Sequence, residues 1–385
     1  MHVLLPCNSA SLGGAERYII DLANGLVEHG AEVTMAFSGQ VLHKPGPVEQ
    51  VRHLELNFFK RGSKLGLLRF ITDLPAGKKL YKYIRDANVD VISTDLVGSG
   101  VWGWIAGRLQ NIPIFYTPMQ VLGNATKWEH FLQSSRIGAL AVKWLDLHFI
   151  AVSSYISWEL ANLGKVPKNH IYTVPLGVNL HKFRPNAPDN KLKEELALGP
   201  GPVMGTIGRL HRVKGCHKIL AAMPSVLKIC PQAQLLIVGD GAERENLERQ
   251  AKELRVRKNV IFTGWRTDTA DMTDLMDLYV SGTDGPNMGL SAMQAMAQGK
   301  PLIYFVKDEL EERMARDTVR QGINGYTVPT NEPDNAGEII GRMLADRDKL
   351  KQMGLASRNI VEKEFDWELH VSNVLEIYQS LLKRK

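Results

Sequence analysis

Short apolar runs rich in β-branched residues alternate with amphipathic helical patterns along almost the whole chain. His2 to Leu5 and Glu32 to Ser38 predict strands. Between them, Ala15 to His29 predicts a helix, because its apolar residues fall on one side. Strands that alternate with helices in this way build repeated βαβ units, in which helices cover both faces of a parallel sheet. The predicted fold class is therefore α/β, with doubly wound parallel sheets.

One segment, residues 184–202, interrupts this alternation with a mixture of proline, glycine and charged residues. Such a composition predicts a domain junction. A chain of 385 residues also exceeds the size at which a single core stops growing. We therefore predict two Rossmann-like domains, residues 1–185 and 186–366, that face each other across a cleft. The pattern alone does not assign a final helix, about 367–385, to either domain.

Positive charge is concentrated in the N-terminal half. Of 47 Lys and Arg and 41 Asp and Glu, residues 1–185 hold 19 and 13, which leaves 28 of each kind in the remainder. No helix-turn-helix, zinc-finger or aromatic RNA-binding signature accompanies this charge, so we predict no nucleic-acid partner. An anionic membrane surface is the better prediction, with residues 58–85 as its contact, since cations alternate there with large apolar groups. An ordinary helix with its apolar side in the core explains that segment equally well.

The sequence shows no run of the ~20 apolar residues that a membrane-spanning helix needs, and it lacks a secretion-signal pattern. Its three cysteines, Cys7, Cys216 and Cys230, are widely spaced and form no CxxC pair. This spacing supports neither a disulfide framework nor a zinc site. We expect a cytoplasmic protein that associates with the inner face of the membrane.

Two motifs have the composition of phosphate-binding loops. Gly13-Gly14 lies between a predicted strand and a predicted helix, where glycine lets the backbone approach an anion and the helix offers amide donors. A simple tight turn explains the pair equally well. Gly208 to Gly215 follows a predicted strand of the second domain and includes the cations Arg209 and Lys214, which suit a diphosphate leaving group. The alternative there is a solvated basic loop.

Two other motifs are rejected as ligand sites. The DxD sequence Asp346-Arg347-Asp348 lies within a helical, charge-alternating pattern that is typical of a solvated helix face, so we do not predict a metal there. The GxGxxG match at 98–103 has no acidic residue about 20 positions later to bind a ribose. Small residues that pack a helix onto a sheet explain it better.

The chain resembles family 4 of the retaining glycosyltransferases, which have the GT-B fold. The resemblance covers nearly the whole chain and rests on seven segments in their usual order. These are GGAE, AVSSYISWEL, IYTVPLGVNLHKFRP, GRLHRVKG, LLIVGDGAERENLE, NVIFTGW and GLSAMQAMAQGKPLI.

The resemblance implies transfer of a sugar from a nucleotide-diphosphate donor to a glycan or lipid-linked acceptor, with retained anomeric configuration and with neither a metal nor a cofactor. Polysaccharide, lipopolysaccharide or other cell-envelope glycan synthesis is the implied setting. Arg209 and Lys214 would be the catalytic cations that hold the diphosphate. The final helix would cross back onto the first domain. The other implied donor-site residues are Gly13, Gly14, Gly289 and Leu290 for the phosphates, Gly264, Trp265, Arg266 and Gln294 for the nucleotide, and Asn287 and Met288 for the sugar.

The sequence departs from the family pattern at three positions. The family's paired glutamates fall on Pro286 and Gln294, of which only Gln294 keeps an oxygen that accepts a hydrogen bond from a ribose hydroxyl. Asp284 is a candidate replacement carboxylate at the donor sugar, with a turn residue as the alternative. The family's histidine is absent after the strand Ile112 to Tyr116, where Thr117 stands instead.

These departures keep three hypotheses open. The first is an active retaining transferase. The second is a GT-B relative that binds nucleotide or glycan, has weak or no transfer activity and acts as the partner of an active enzyme. The third, a sugar-nucleotide epimerase of the same fold, fits the spacing of Arg209 and Lys214 less well.

Overall fold

The computed structural model describes residues 1–7, 14–38, 50–56, 73–94, 97–119, 136–284 and 289–383. The chain forms two compact units, one of Met1–Leu176 with Glu368–Lys385 and the other of Gly177–Trp367. The segment from 177 to 185, which the sequence assigned to the first domain, lies in the second unit. Its Val178 amide donates to the carbonyl of Phe365, and the Arg358 guanidinium donates to the carbonyl of Phe183.

The first unit is built on a seven-stranded parallel sheet. Its strands are β1 His2–Cys7, β2 Glu32–Ser38, β3 Arg52–Leu56, β4 Val91–Thr94, β5 Ile114–Tyr116, β6 Leu147–Ala151 and β7 Ile171–Thr173. Its helices are α1 Gly14–Glu28, α2 Leu74–Asp86, α3 Val97–Leu109, α4 Arg136–Leu145 and α5 Ser154–Asn162. The strand order is β3-β2-β1-β4-β5-β6-β7. Buried side chains such as Leu4, Leu80 and Ile92 pack the helices onto this sheet.

The second unit is built on a six-stranded parallel sheet. Its strands are β8 Val203–Ile207, β9 Gln234–Val238, β10 Val260–Gly264, β11 Leu278–Ser281, β12 Leu302–Val306 and β13 Gly325–Pro329. Its helices are α6 Asn190–Glu195, α7 Cys216–Ile229, α8 Arg244–Glu253, α9 Thr269–Asp274, α10 Leu290–Ala297, α11 Glu309–Ala315, α12 Pro333–Ala345 and α13 Arg347–Glu364. The strand order is β10-β9-β8-β11-β12-β13. Inner strands such as β9 are fully buried, as expected where helices cover both faces.

The predicted fold class, α/β with two doubly wound parallel sheets, is confirmed. The last helix, α14 (Trp367–Leu382), packs against the first unit. Nε2 of His370, on this helix, forms a 3.0 Å hydrogen bond with the hydroxyl of Tyr18. The ring centroids of Tyr378 and Phe115 are 4.7 Å apart. The buried residues of α14 therefore complete the core of the first unit.

Two local predictions are tested by this packing. Gly103, in the GxGxxG segment, lies in α3 against the sheet, and a Cβ added there would come within 3.3 Å of Pro6. The predicted packing role is confirmed at this glycine. The DxD segment is exposed, as predicted, but it does not lie within a single helix. Asp346 separates α12 from α13 and caps α13, because its carboxylate accepts a hydrogen bond from the amide of Lys349 at 3.0 Å.

Candidate functional site

A pocket opens in the second unit at the carboxyl ends of β8 and β11. These neighbouring strands mark the point where the strand order reverses, since β9 lies on the far side of β8 and β12 on the far side of β11. Open α/β sheets bind their ligands at this position. The lining residues are Thr206, Ile207, Gly208, Lys214, Cys216, Tyr279, Ser281, Thr283, Gly289 and Ser291.

Lys214 brings positive charge into the pocket. It ends a short 3-10 turn, Arg212–Lys214, whose preceding residue His211 accepts a hydrogen bond from the amide of Val213. Burial lowers the pKa of Lys214, the nearby Cys216 raises it, and the positive charge of Arg209 lowers it again. The ammonium thus has too little compensating negative charge for its degree of burial, which favours an anion as its ligand.

Arg209 lies close enough to Lys214 for its positive charge to lower the pKa of Lys214. The Arg209 side chain is exposed and does not line the pocket. The structure therefore brings the two predicted cations near each other and gives them different surroundings. Lys214 lines the pocket, whereas the Arg209 side chain is exposed outside it.

Two glycines hold the loop that carries Lys214 against the loop that follows β11. Gly215 has φ of +65°, a left-handed conformation that favours glycine, and a Cβ added there would lie 1.7 Å from the carbonyl oxygen of Gly282. A Cβ on Gly282 would meet the carbonyl of Gly215 in turn. No side chain fits at either position, so this backbone contact fixes the place of Lys214.

The same two loops are joined by Asp284. Its amide donates to the carbonyl of Val213 at 2.7 Å, and its carboxylate accepts a hydrogen bond from the ammonium of Lys218, a buried residue in the first turn of α7. Asp284, the predicted replacement carboxylate, is thus held beside the pocket by an ion pair and does not line it.

Hydroxyl groups make up most of the polar lining, and the lining residues that the structure describes include no carboxylate. Burial raises the pKa of the Tyr279 phenol, so it remains protonated. Tyr279, Ser281 and Thr283 alternate along β11 and its extension, which places their side chains on one face. The sequence analysis did not predict these hydroxyl groups as site residues. Hydroxyl side chains at every second position of LYVSGTDG would have indicated that they share one face.

The start of α10 contributes backbone amides. Gly289, with φ of +60°, and Ser291 both line the pocket, and Leu290 begins the helix between them. The first amides of a helix have no partner inside it and attract anions. Gln294 is half-buried one turn further along α10 and does not line the pocket. Pro286 and the predicted sugar contacts Asn287 and Met288 lie outside the described residues.

The predicted nucleotide edge follows β10. Gly264 ends that strand with φ of +75°, and the next side chain, Trp265, is 76% exposed. Arg266 donates to both carboxylate oxygens of Asp268, at 2.9 and 2.6 Å, and to Glu195 at 2.8 Å. These bonds raise the pKa of Arg266 above its ordinary value. Arg266 therefore braces the turn that presents Trp265.

In the first unit, fewer of the predicted residues can be placed. Gly14 is the first residue of α1, and Gly13 lies outside the described residues. The predicted membrane contact is residues 58–85, and its part before residue 73 also lies outside the described residues. Residues 73–85 form nearly all of α2, whose buried residues Ala76, Gly77, Leu80 and Ile84 face the core. Thr117 is buried and donates its amide to the carbonyl of Thr94 at 2.7 Å.

The described part of the chain has no helix that is both long and apolar enough to cross a membrane.

Comparison with known proteins follows the division into two units. Residues 12–182 match the family described as Glycosyltransferase Family 4, and residues 189–360 match Glycosyl transferases group 1. Together these matches cover nearly the whole chain.

Two relatives and one solved structure show the range of similar proteins. A GDP-mannose-dependent monoacylated alpha-(1-6)-phosphatidylinositol monomannoside mannosyltransferase from Corynebacterium glutamicum is 31% identical over 54% of this chain and 55% of its own length. The UDP-Gal:alpha-D-GlcNAc-diphosphoundecaprenol alpha-1,3-galactosyltransferase of Escherichia coli is 24% identical over 83% of this chain and 82% of its own. Anabaena HepE, solved in complex with UDP and glucose, is 22% identical, with a TM-score of 0.76 over 98% of each chain.

Proposed function

Since the chain belongs to glycosyltransferase family 4 and has the GT-B fold, we propose that it retains the anomeric configuration of the sugar that it transfers from a nucleotide diphosphate. We further propose that the transfer step needs no metal ion and that the acceptor is a glycan or a lipid-linked sugar of the cell envelope.

The observation that carries this proposal is the position of Lys214 in the pocket of the second unit, which the first residues of α10 and several hydroxyl groups also line. When the bond between the sugar and the diphosphate breaks, negative charge develops on the leaving phosphate. A preorganised ammonium and backbone amides stabilise that charge at the moment it forms. A divalent cation has this role in other transferases, and here Lys214 and Arg209 would replace it.

The hydroxyls of the lining suit the same ligand. Serine, threonine and tyrosine hydroxyls donate to phosphate oxygens and also accept from sugar hydroxyls. A pocket whose described lining contains no carboxylate repels neither the phosphates nor the charge that develops on them. Trp265 offers an exposed aromatic face for the base. Known relatives are named for both UDP and GDP donors, so the proposal extends to nucleotide diphosphates and is not restricted to one base.

The acceptor proposal rests on the relatives and on α2. The Escherichia coli relative is named for a diphosphoundecaprenol-linked acceptor and the Corynebacterium relative for a phosphatidylinositol mannoside. On α2, the cations Lys78, Lys82 and Arg85 are exposed together with Leu74 and Tyr81. Such a mixture of cations and apolar side chains binds an anionic leaflet, with about 1 kcal/mol from each cation. We propose peripheral association with the cytoplasmic face of the membrane.

The proposal is tested by incubating the full chain with a panel of UDP- and GDP-sugars and with diphosphoundecaprenol-linked and phosphatidylinositol-linked acceptors, in the presence of EDTA. We expect one donor and acceptor pair to give a product of increased mass, with the anomeric configuration of the donor by NMR. Inverted configuration would contradict retention, and dependence on added Mg²⁺ or Mn²⁺ would contradict the metal-free transfer step. Binding of UDP or GDP with no turnover across the panel would contradict the transferase proposal itself.

A further inference from the structure

Tyr279 lines the pocket at the point where strands β8 and β11 stop pairing. The two strands pair at Leu278 with Met204 and at Tyr279 with Gly205, and beyond these residues both continue into the pocket lining. We infer that Tyr279 is a positioning residue for sugar transfer, whose hydroxyl holds the first turn of α10 against the end of β8. The inference rests on the proposed function, because the amides of that turn are the groups proposed to meet the diphosphate.

The hydroxyl of Tyr279 reaches from β11 to β8 and α10. It donates a hydrogen bond to the carbonyl of Ile207 at 3.4 Å, and the side chain is 3% exposed. Because this bond is longer than a typical O–H···O bond, further partners matter for holding the phenol in place. Thr206 and Ser291 provide them, since both line the pocket and both form hydrogen bonds with the phenol. Ser291 is the second residue of α10, so one buried hydroxyl connects this helix to β8.

The carbonyl of Ile207 fixes the direction of these hydrogen bonds. A carbonyl oxygen can only accept, so the single proton of the phenol points to Ile207, and the phenol oxygen accepts from Ser291 and Thr206. Burial, the largest influence, raises the pKa of Tyr279, and the hydrogen bond with Ser291 has the largest opposing effect. The proton of the Ser291 hydroxyl is therefore directed at Tyr279, and Ser291 acts as the anchor of its helix.

The first turn of α10 depends on such an anchor. Among the described residues, no side chain caps this helix, so an anion can meet its first amides. Leu290 is 39% exposed and Ser291 is half-buried, whereas the later residues Met293 and Met296 are buried. Packing thus fixes the body of α10, and the bond to Tyr279 fixes its start. Donors stabilise a leaving group best when they are already in place, and a small displacement of such a group lowers the rate strongly.

Tyr279→Phe tests the inference, because it removes the hydroxyl and keeps the ring. We expect kcat to fall about tenfold, with the KM for the donor within about twofold of that of the unaltered chain. Displaced amides stabilise the transition state less, while the other contacts with the donor persist. Ser291→Ala removes the partner and should lower kcat to a similar extent. Since both substitutions break the same hydrogen bond, the double variant should lose no more kcat than Tyr279→Phe alone.

Tyr326→Phe is the matched control. It also removes a hydroxyl from the second sheet, but this hydroxyl lies beside Lys349 of α13, and Tyr326 does not line the pocket. Both kcat and KM should therefore stay as in the unaltered chain. A similar fall in kcat in Tyr326→Phe would show that any lost tyrosine hydroxyl of this sheet slows transfer, which would overturn the positioning role of Tyr279.

Amide hydrogen exchange provides a second measurement that does not need sugar transfer. In Tyr279→Phe and in Ser291→Ala, peptides that contain the first turn of α10 should exchange about fivefold faster, whereas those of α7 should exchange as in the unaltered chain. Unchanged exchange in α10 would overturn the inference, as would losses in kcat that multiply in the double variant. If the unaltered chain transfers no sugar, the proposed function fails by itself, and exchange in α10 still decides whether Tyr279 holds that helix.

Discussion

The ammonium of Lys218 donates a hydrogen bond to the carboxylate of Asp284, and this ion pair connects the first turn of α7 to the loop that follows β11. Lys218 is 7% exposed and sits directly behind the loop that carries Lys214. The amide of Asp284 also bonds to that loop, at Val213. Asp284 is therefore a residue that positions the loop carrying Lys214 in the pocket.

Replacing Asp284 by Ala should destabilise the second unit, because Lys218 would remain buried without its partner. A lost buried partner costs about 3–5 kcal/mol, and since Asp284 is itself partly exposed we expect about 1–3 kcal/mol. The free energy of unfolding in urea measures this. The double variant Lys218→Met with Asp284→Ala should recover part of the loss. If the losses in free energy of unfolding of Lys218→Met and Asp284→Ala simply add up in the double variant, the ion pair makes no energetic contribution.

The activity should fall at alkaline pH below the ordinary range of lysine. In the proposed mechanism, diphosphate binding needs the charged ammonium of Lys214, which predominates only below its pKa, and burial lowers that pKa from 10.5. As pH rises through the lowered value, kcat/KM for the donor should decrease. Bound diphosphate stabilises the charged ammonium and so raises the pKa of Lys214 in the complex. The decrease in kcat should therefore occur at a higher pH than the decrease in kcat/KM.

Lys214→Arg provides the control for this pH profile. A guanidinium stays charged throughout the measured range, so the alkaline decrease should move to higher pH whatever the absolute rate. Circular dichroism at each pH would show that the fold persists. An unchanged profile in Lys214→Arg would assign the titration to another group.

Trp265→Ala should weaken donor binding with little effect on kcat. An exposed aromatic ring that stacks on the base contributes equally in the ground and transition states, and its removal costs about 1–3 kcal/mol. The KM for the donor should therefore rise about 5- to 150-fold. Leu355→Ala, at another exposed apolar side chain of the second unit, is the matched control. A selective fall in kcat would place Trp265 near the reacting sugar instead.

The first unit should lose stability in mild acid through His370. Burial lowers its pKa from 6.5 to about 4 in the folded chain. The unfolded chain therefore binds a proton from pH 6.5 downward, whereas the folded chain does so only near pH 4. This difference removes about 2 kcal/mol between pH 7 and pH 5. His370→Gln should reduce the pH dependence of urea unfolding by that amount, and an unchanged dependence would contradict the assignment.

The sequence predicted the inner strands better than the outer ones. The predicted strand Glu32–Ser38 is found at the predicted residues, and the predicted strands His2–Leu5 and Ile112–Tyr116 each agree with β1 and β5 to within two residues at one end, because inner strands are rich in apolar residues. The strands that the pattern missed, β3, β7 and β13, are all outer strands of their sheets. Outer strands have one open side and tolerate polar residues such as Arg52 and Glu55 of β3, so their pattern is weaker.

The sequence predicted Lys214 as a site residue but did not predict the residues that hold its loop in place. A glycine-rich basic loop after a strand is a local signal, and the structure places Lys214 in the pocket. The partners that fix this loop come from residues about 70 positions later, at Gly282 and Asp284. Pairing over such a distance depends on which strands become neighbours, and the sequence pattern does not specify strand order.

The most direct test of the central proposal is the rate of sugar transfer by Lys214→Ala under saturating donor, with Arg209→Ala beside it. Removing one preorganised donor to the leaving group typically costs ~3 kcal/mol, so each variant should lower kcat by about a hundredfold or more. Lys228→Ala, an exposed lysine at the far end of α7, is the control and should leave the rate unchanged. A kcat for Lys214→Ala within about twofold of that control would contradict the role of Lys214 in stabilising the diphosphate.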